Sequence, residues 1–152
     1  MAKEIESNTP EFEFNKIDEQ VTIGTNACCT THFDEDLIQK EGISADISLE
    51  EERVDNPYGV DAYLWLPVTD HTPPSMKQAL VGIATLTQML SQGMKVYIHC
   101  KNGHGRAPTF YAAYLIINEK MSADEAIKYI LDKRPTAHFE NAQQDFLRSL
   151  GG

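Results

Sequence analysis

The chain has little cysteine, a single tryptophan and a shortage of positive charge. Its three cysteines, Cys28, Cys29 and Cys100, are an odd number with two adjacent, which argues against a disulfide framework and for a reducing compartment. No Cys-x-x-Cys pair occurs, and His99, Cys100 and His104 are spaced around a glycine-rich stretch that suits zinc poorly, so neither metal nor cofactor is expected. Lys and Arg number 13 against 23 Asp and Glu, a formal charge of −10. That leaves no broad basic face for nucleic acid or an anionic membrane. No apolar run approaches the about 20 residues of a membrane-spanning helix. The first residues, Met1 to Glu6, are charged and carry no signal-peptide core. Together these absences lead to the expectation of a cytoplasmic protein with no integral membrane segment. Its oligomeric state is left open.

What is present is a core-sized apolar fraction, 41% of 152 residues, enough for one domain over 1–152 with a polar arm at 1–11. Strand-like segments occur at Phe12–Ile17, Val21–Ile23, Ile43–Leu49, Tyr63–Val68 and Lys95–His99. Gly24-Thr25-Asn26 reads as a break after the second of them. Helical patterns cover Asp34–Lys40, the stretch from Ser75 to Gly93, and residues 107–119, 122–133 and 139–150. Ser122-Ala123-Asp124-Glu125 is a capping box that opens the fourth. Met76, Leu80, Ile83, Leu86, Leu90 and Met94 form a stripe at spacings of three and four, which reads as core. Strands alternating with helices predict an α/β fold, a small central and mostly parallel sheet flanked by helices.

The residue order reads as chemistry in His99-Cys100-Lys101-Asn102-Gly103-His104-Gly105-Arg106. The β-branched run Val96-Tyr97-Ile98 leads in and a helix-compatible run from Pro108 leads out. Strand, glycine loop and helix N-terminus together make an anion cradle, in which loop N–H groups converge and the helix dipole adds positive charge. A cysteine at the mouth of such a loop has its thiolate favoured. Arg106 brings a planar fork that fits two oxygens of one phosphate. Lys101, Asn102, Gly103, His104 and Gly105 are then the expected substrate-binding residues, through backbone N–H groups and, for Lys101 and His104, possible contacts of their own side chains.

A thiolate acting on a phosphate ester needs an acid for the leaving oxygen. Asp70, in Pro67-Val68-Thr69-Asp70-His71-Thr72-Pro73-Pro74, follows a strand and precedes a helix, on the sheet edge where the cysteine loop belongs. The plainer reading of Asp70 is a turn aspartate. His99 is expected to hydrogen-bond loop carbonyls and support the loop. Cys28 and Cys29 read as small buried residues, with a redox role beside Cys100 as the alternative.

The pattern His99-Cys100-x5-Arg106 resembles the signature of the cysteine-based protein phosphatases. Motif position and chain length look like the compact, prokaryotic-type dual-specificity group, over Ile23 to Leu147 and including Tyr129-Ile130-x-x-Lys133-Arg134-Pro135. The resemblance implies that Cys100 attacks phosphorus to give a cysteinyl-phosphate, that Arg106 and the loop bind phosphate, and that Asp70 serves as the acid, without metal. It implies a phosphorylated protein as substrate, with phosphotyrosine first and phosphoserine or phosphothreonine as the wider range. The alternatives are a phosphoinositide or other small phosphoester, or a phosphatase-like module with little turnover. One departure stands out: Ala107 occupies a place where the family usually has Ser or Thr, whose hydroxyl serves the cysteine sulfur.

Overall fold

The computed structural model describes residues 12–28 and 30–151. The expected polar arm at 1–11 and residue Cys29 lie outside the described residues. Ten elements follow in chain order: β1 (Phe14–Lys16), β2 (Val21–Thr25), α1 (His32–Lys40), β3 (Ala45–Glu50), β4 (Ala62–Val68), α2 (Met76–Ser91), β5 (Val96–Cys100), α3 (Arg106–Glu119), α4 (Ala123–Lys133) and α5 (Asn141–Gly151). The sheet runs β1-β2-β5-β3-β4, with only β1 antiparallel to its neighbour. This is the mixed, mostly parallel sheet expected of the α/β class.

β5 is central and all five of its residues are buried. Its side chains alternate between the two faces. Val96, Ile98 and Cys100 join the main core with α2, α3, α4 and α5, while Tyr97 joins a smaller core with Phe33 and Leu37 of α1. β3 follows the same rule. Ala45, Ile47 and Leu49 enter the main core, so Asp46, Ser48 and Glu50 turn to the α1 face. The sequence alone presents that alternation as a half-solvated strand. Here α1 and the β3–β4 connection cover the polar half, and all six residues are buried.

α3 is buried continuously from Arg106 to Ile116, as expected of a helix at the centre of a packed layer. α4 begins at the Ser122 capping box: Ser122 Oγ accepts from Glu125 N at 3.1 Å and Glu125 Oε1 accepts from Ser122 N at 2.8 Å.

Three expectations need correction. β2 continues through Gly24 and Thr25, because Thr25 pairs with Cys100 across the parallel ladder. The α1 segment is a π-helix over His32–Lys40, wider than the expected α-helix and two residues longer at its start. The α2 stripe is only partly core: Ile83 and Leu86 are buried, but Met76 and Leu80 are 46% and 51% exposed. The buried face of α2 is instead set by Ala79, Gly82 and Met89 beside Ile83 and Leu86, and Gly82 packs on Phe110, where a side chain would clash.

Candidate active site

β5 ends on Cys100, and α3 begins on Arg106. The five residues between them must reverse direction within a short span. Gly103 does so at φ +75°, and a Cβ there would strike Gly24 of β2, so both the backbone angle and the space demand glycine.

The loop is held from outside by its carbonyls. Lys101 O accepts from Asn26 N at 3.4 Å and His104 O from His138 N at 2.6 Å. Arg134, fully buried, donates Nε to Gly103 O at 2.7 Å and Nη2 to Asn102 O at 3.1 Å, while its Nη1 donates to Asn15 Oδ1 at 2.7 Å. In a trans peptide the N–H points opposite to the C=O of the same unit. Outward carbonyls at 101–104 therefore turn the N–H groups of 102–105 to the inner side of the loop. The sequence marks Arg134 as a helix stop before Pro135 and as part of the tail motif that carries the resemblance, without a role of its own. Its role as the clamp that sets loop polarity depends on a contact some 30 residues back along the chain.

Arg106 is buried and heavily bonded. Nη1 donates to Glu52 Oε1 at 2.7 Å and to Val68 O at 2.9 Å, and Nη2 donates to Glu52 Oε2 at 3.2 Å. Glu52 thus grips the fork on one edge. Nε is buried with no hydrogen-bond partner and lies 3.5 Å from Asp70 Oδ1. Three of the five guanidinium N–H groups are taken, which fixes its orientation and leaves Nε–H and the second Nη2–H for an incoming phosphate. Glu52 carries no signal in the sequence, because Glu50 to Gly59 is an acidic stretch with an Asn56-Pro57 turn signal that reads as a loop or irregular helix.

Arg106 holds the Glu52 carboxyl below its ordinary value, with partial burial working against that effect. A depressed carboxylate stabilises the fold above its unfolded pKa, and the contribution is lost as pH falls through the folded value. Glu52→Gln should therefore show a stability deficit that is constant above pH 4.5 and closes below it, measured by urea unfolding across pH. The same variant should lose about tenfold in kcat/KM for phosphoester hydrolysis, the usual scale for a residue that orients a site group. A deficit that does not change with pH would mean that the pair is not ionic.

Asp70 sits half exposed at the end of β4, where His71 N donates to its Oδ1 at 2.9 Å. A pocket of about 170 Å³ is lined by Asp70, His71, Cys100, Asn102, His104, Gly105, Arg106, His138, Glu140 and Gln143. The sheet edge therefore brings together the nucleophile, arginine and acid candidates. Two residues outside the motif tie the acid loop down. His71, in the left-handed region at φ +69°, has Nδ1 3.0 Å from Glu140 Oε2, and buried Gln143 donates Nε2 to Thr72 O at 3.2 Å.

Not every candidate faces this pocket. Lys101 is exposed and lines a neighbouring cleft with Asn26, Cys28, Glu52 and Arg53. Gly103 contributes backbone shape and packs on Gly24. His99 does not bond loop carbonyls: strand alternation turns it to the α1 face, where Nε2 lies 2.7 Å from Asp46 Oδ1. Burial favours its neutral form, but the Asp46, Asp55 and Glu50 carboxylates outweigh that and raise its pKa above the ordinary value. Ala107 is fully buried on the first turn of α3, and Thr109 Oγ1 is buried without a hydrogen-bond partner, so it does not serve the Cys100 sulfur either.

The arrangement suits a tetrahedral dianion: inward N–H groups, a fixed guanidinium, a thiol at the base and a carboxyl at the rim. Known proteins share the framework. The chain is 29% identical over 147 residues to human phosphatidylglycerophosphatase and protein-tyrosine phosphatase 1, covering 90% of this chain and 72% of that protein. It is 28% identical over 125 residues to putative tyrosine phosphatase 197R of Invertebrate iridescent virus 6, covering 76% of this chain and 46% of that one. The crystal structure of PTPMT1 superposes with a TM-score of 0.80 at 26% identity, covering 91% of this chain and 94% of that chain. Tk-PTP in its active form gives 0.76 at 27% identity, covering 91% and 95%. The catalytic domain of the dual specificity phosphatases matches residues 27–150, which include the whole of this pocket, and the chain belongs to that family of hydrolases.

Proposed function

We propose that the protein is a cysteine-dependent phosphomonoesterase whose first substrate class is phosphotyrosine in a protein. The observation that carries this is the convergence of Cys100, Arg106 and Asp70 on one pocket of about 170 Å³. Phosphate seats on the N–H groups of 102–105 and on Arg106 Nε. Cys100 Sγ attacks phosphorus, an S–P bond forms, the P–O bond to the leaving group breaks, and Asp70 gives that oxygen its proton. Water then attacks phosphorus and Asp70 takes its proton. The S–P bond breaks, and the thiolate and inorganic phosphate are released. His99 holds the strand end and moves no proton.

The rim favours a singly phosphorylated group. It carries Asp70 and Glu140, and Glu13 lies 3.5 Å from His104, whereas a polyphosphorylated headgroup would need lysines and arginines there. Lys101 opens onto the other cleft. A second reading has a specific support, the relative named for phosphatidylglycerophosphatase activity that matches 90% of this chain. A glycerophospholipid monoester also carries a single terminal phosphate. Phosphate release from phosphotyrosine, phosphoserine and phosphothreonine peptides, phosphatidylglycerophosphate and phosphoinositides decides between them. Faster turnover of the lipid than of every peptide would replace the first reading with the second.

Ala107 sets the pace of this scheme. A hydroxyl there would donate to the departing thiolate, and a hydrogen bond to a charged group is worth about 1.5–3 kcal/mol. Ala107→Ser should raise kcat by about tenfold, with the gain in breakdown of the intermediate. Equal kcat for the two proteins would show that thiolate departure does not limit turnover.

A further inference from the structure

The α1 face of the sheet holds charged groups that the phosphoryl-transfer scheme does not use. Asp46 of β3, Asp55 of the β3–β4 connection and His99 of β5 have side chains that are no more than 1% exposed. One donor atom from each lies within 4.8 Å of the other two, and among the described residues this is the one group of three His, Cys, Asp or Glu donors so arranged. His99 Nε2 is 2.7 Å from Asp46 Oδ1 and 3.5 Å from Asp55 Oδ2. Asp46 Oδ2 and Asp55 Oδ2 are both buried without a hydrogen-bond partner, and so is His99 Nδ1. A buried carboxylate oxygen left unpaired is costly, and most native examples are resolved by a proton, a water or an ion.

Charge points to an ion. Glu50 is buried beside the group, and Asn26 Nδ2 bridges Glu50 Oε1 and Asp55 Oδ1 at 2.5 and 3.1 Å. Three buried carboxylates therefore share one nearby guanidinium, Arg53, whose Nε is 3.1 Å from Asp55 Oδ1. A divalent cation held between the two aspartates and the imidazole would bring positive charge to the oxygens that Arg53 does not reach.

We propose that Asp46, Asp55 and His99 form a binding site for a divalent first-row transition metal ion of the Zn²⁺ or Mn²⁺ type. One imidazole nitrogen with two carboxylate oxygens is a donor set for such ions, whereas Mg²⁺ and Ca²⁺ favour all-oxygen shells. Tetrahedral coordination at about 2.1 Å spaces donor atoms about 3.4 Å apart, close to the 3.5 Å between His99 Nε2 and Asp55 Oδ2. The tighter His99–Asp46 contact opens, or the free Asp46 oxygen turns in. The neighbouring cleft of about 490 Å³ is lined by Asn26 and Arg53, both bonded to Asp55, so displacing the half-exposed Arg53 would open a route to the site. No step of phosphate hydrolysis passes through the ion. Its effect is structural, because the connection that carries Asp55 also carries Glu52. Pinning Asp55 to β3 and β5 steadies the residue that orients Arg106.

The test uses chelator-treated full-length protein with Cys100→Ser, which removes the active-site thiolate as a competing ligand, titrated calorimetrically with ZnCl₂, MnCl₂ and MgCl₂. One equivalent of Zn²⁺ or Mn²⁺ should bind, Mg²⁺ should bind far more weakly, and adding Asp55→Asn should lower the affinity by about tenfold or more. Co²⁺ added to the Cys100→Ser protein should show ligand-field absorption without a thiolate charge-transfer band, a readout that needs no substitution within the cluster itself. No binding, binding of Mg²⁺ alone, binding unchanged by Asp55→Asn, or a thiolate band would each overturn the proposal. A loss of binding on His138→Ala instead of Asp55→Asn would move the ion to the mouth of the catalytic pocket, and would overturn it too.

Discussion

Cys100→Ser should abolish phosphatase activity, lowering kcat on the order of 10⁵-fold or more, while leaving phosphate binding nearly intact. The size follows from removing a nucleophile that works as a unit with its site, where single deletions cost about as much as removing the whole constellation. Retained binding follows from the geometry. The oxyanion groups are loop N–H groups and Arg106, and none of them is held by the Cys100 sulfur. Arg134 and the backbone donors Asn26 N and His138 N hold the loop carbonyls, and Glu52 and Val68 O hold the guanidinium. Serine replaces sulfur by a smaller atom at a buried position, so the cradle should stay formed. A phosphotyrosine peptide should bind the variant with a Kd within about threefold of the dissociation constant that single-turnover kinetics give for the unsubstituted protein, as expected when the lost interaction belongs to the transition state alone. A variant that loses binding and activity together would show that the sulfur holds the loop in shape.

Asp70→Asn should lower kcat by about 10²–10⁴-fold, the usual contribution of a positioned general acid. Substrate affinity should change little, since Asp70 is half exposed at the rim and the phosphate sits on other groups. The loss should depend on the leaving group. Tyrosine, whose unperturbed pKa is about 10, needs its proton badly, whereas an aryl phosphate with a strongly acidic phenol needs little help. In kcat/KM, which reports the step that expels the leaving group whichever step limits kcat, the variant should therefore be far more defective on a phosphotyrosine peptide than on such an ester. Equal losses on both would assign Asp70 a role in holding Arg106, from whose Nε it lies 3.5 Å. The neighbouring ties of His71 to Glu140 and of Gln143 to Thr72 O fix where that carboxyl stands.

Sequence reading reached the β5–loop–α3 unit because each part of it is local. A β-branched run, two glycines and a helix start follow one another within twenty residues, and Asp70 could be placed because a strand end before a helix must lie on one known edge of a parallel sheet. What it missed depends on long-range contacts. Glu52 lies in an acidic stretch that reads as a loop or irregular helix, and becomes part of the site only when Arg106 approaches from 54 positions away. Arg134 looks like the end of a helix, and its burial against Gly103 O is invisible to any local pattern. Asp46 sits in a strand whose polar alternation predicts solvent, but the π-helix α1 and the β3–β4 connection close over it. His99 was assigned to the loop because of its neighbour in sequence; alternation along β5 sends it to the opposite face. The exposure of Met76 and Leu80 has the same origin, since helical periodicity shows that a face is apolar but not which turn of it is covered.

Trapping the intermediate tests the central claim most directly. The protein would be mixed with a phosphotyrosine peptide, quenched within its first turnovers, digested and read by mass spectrometry. A phosphoryl group should appear on Cys100, be absent in Cys100→Ser, and reach a lower steady level in Ala107→Ser, where thiolate departure is eased. Sustained hydrolysis with no phosphoryl group on Cys100, or with full activity in Cys100→Ser, would contradict the account.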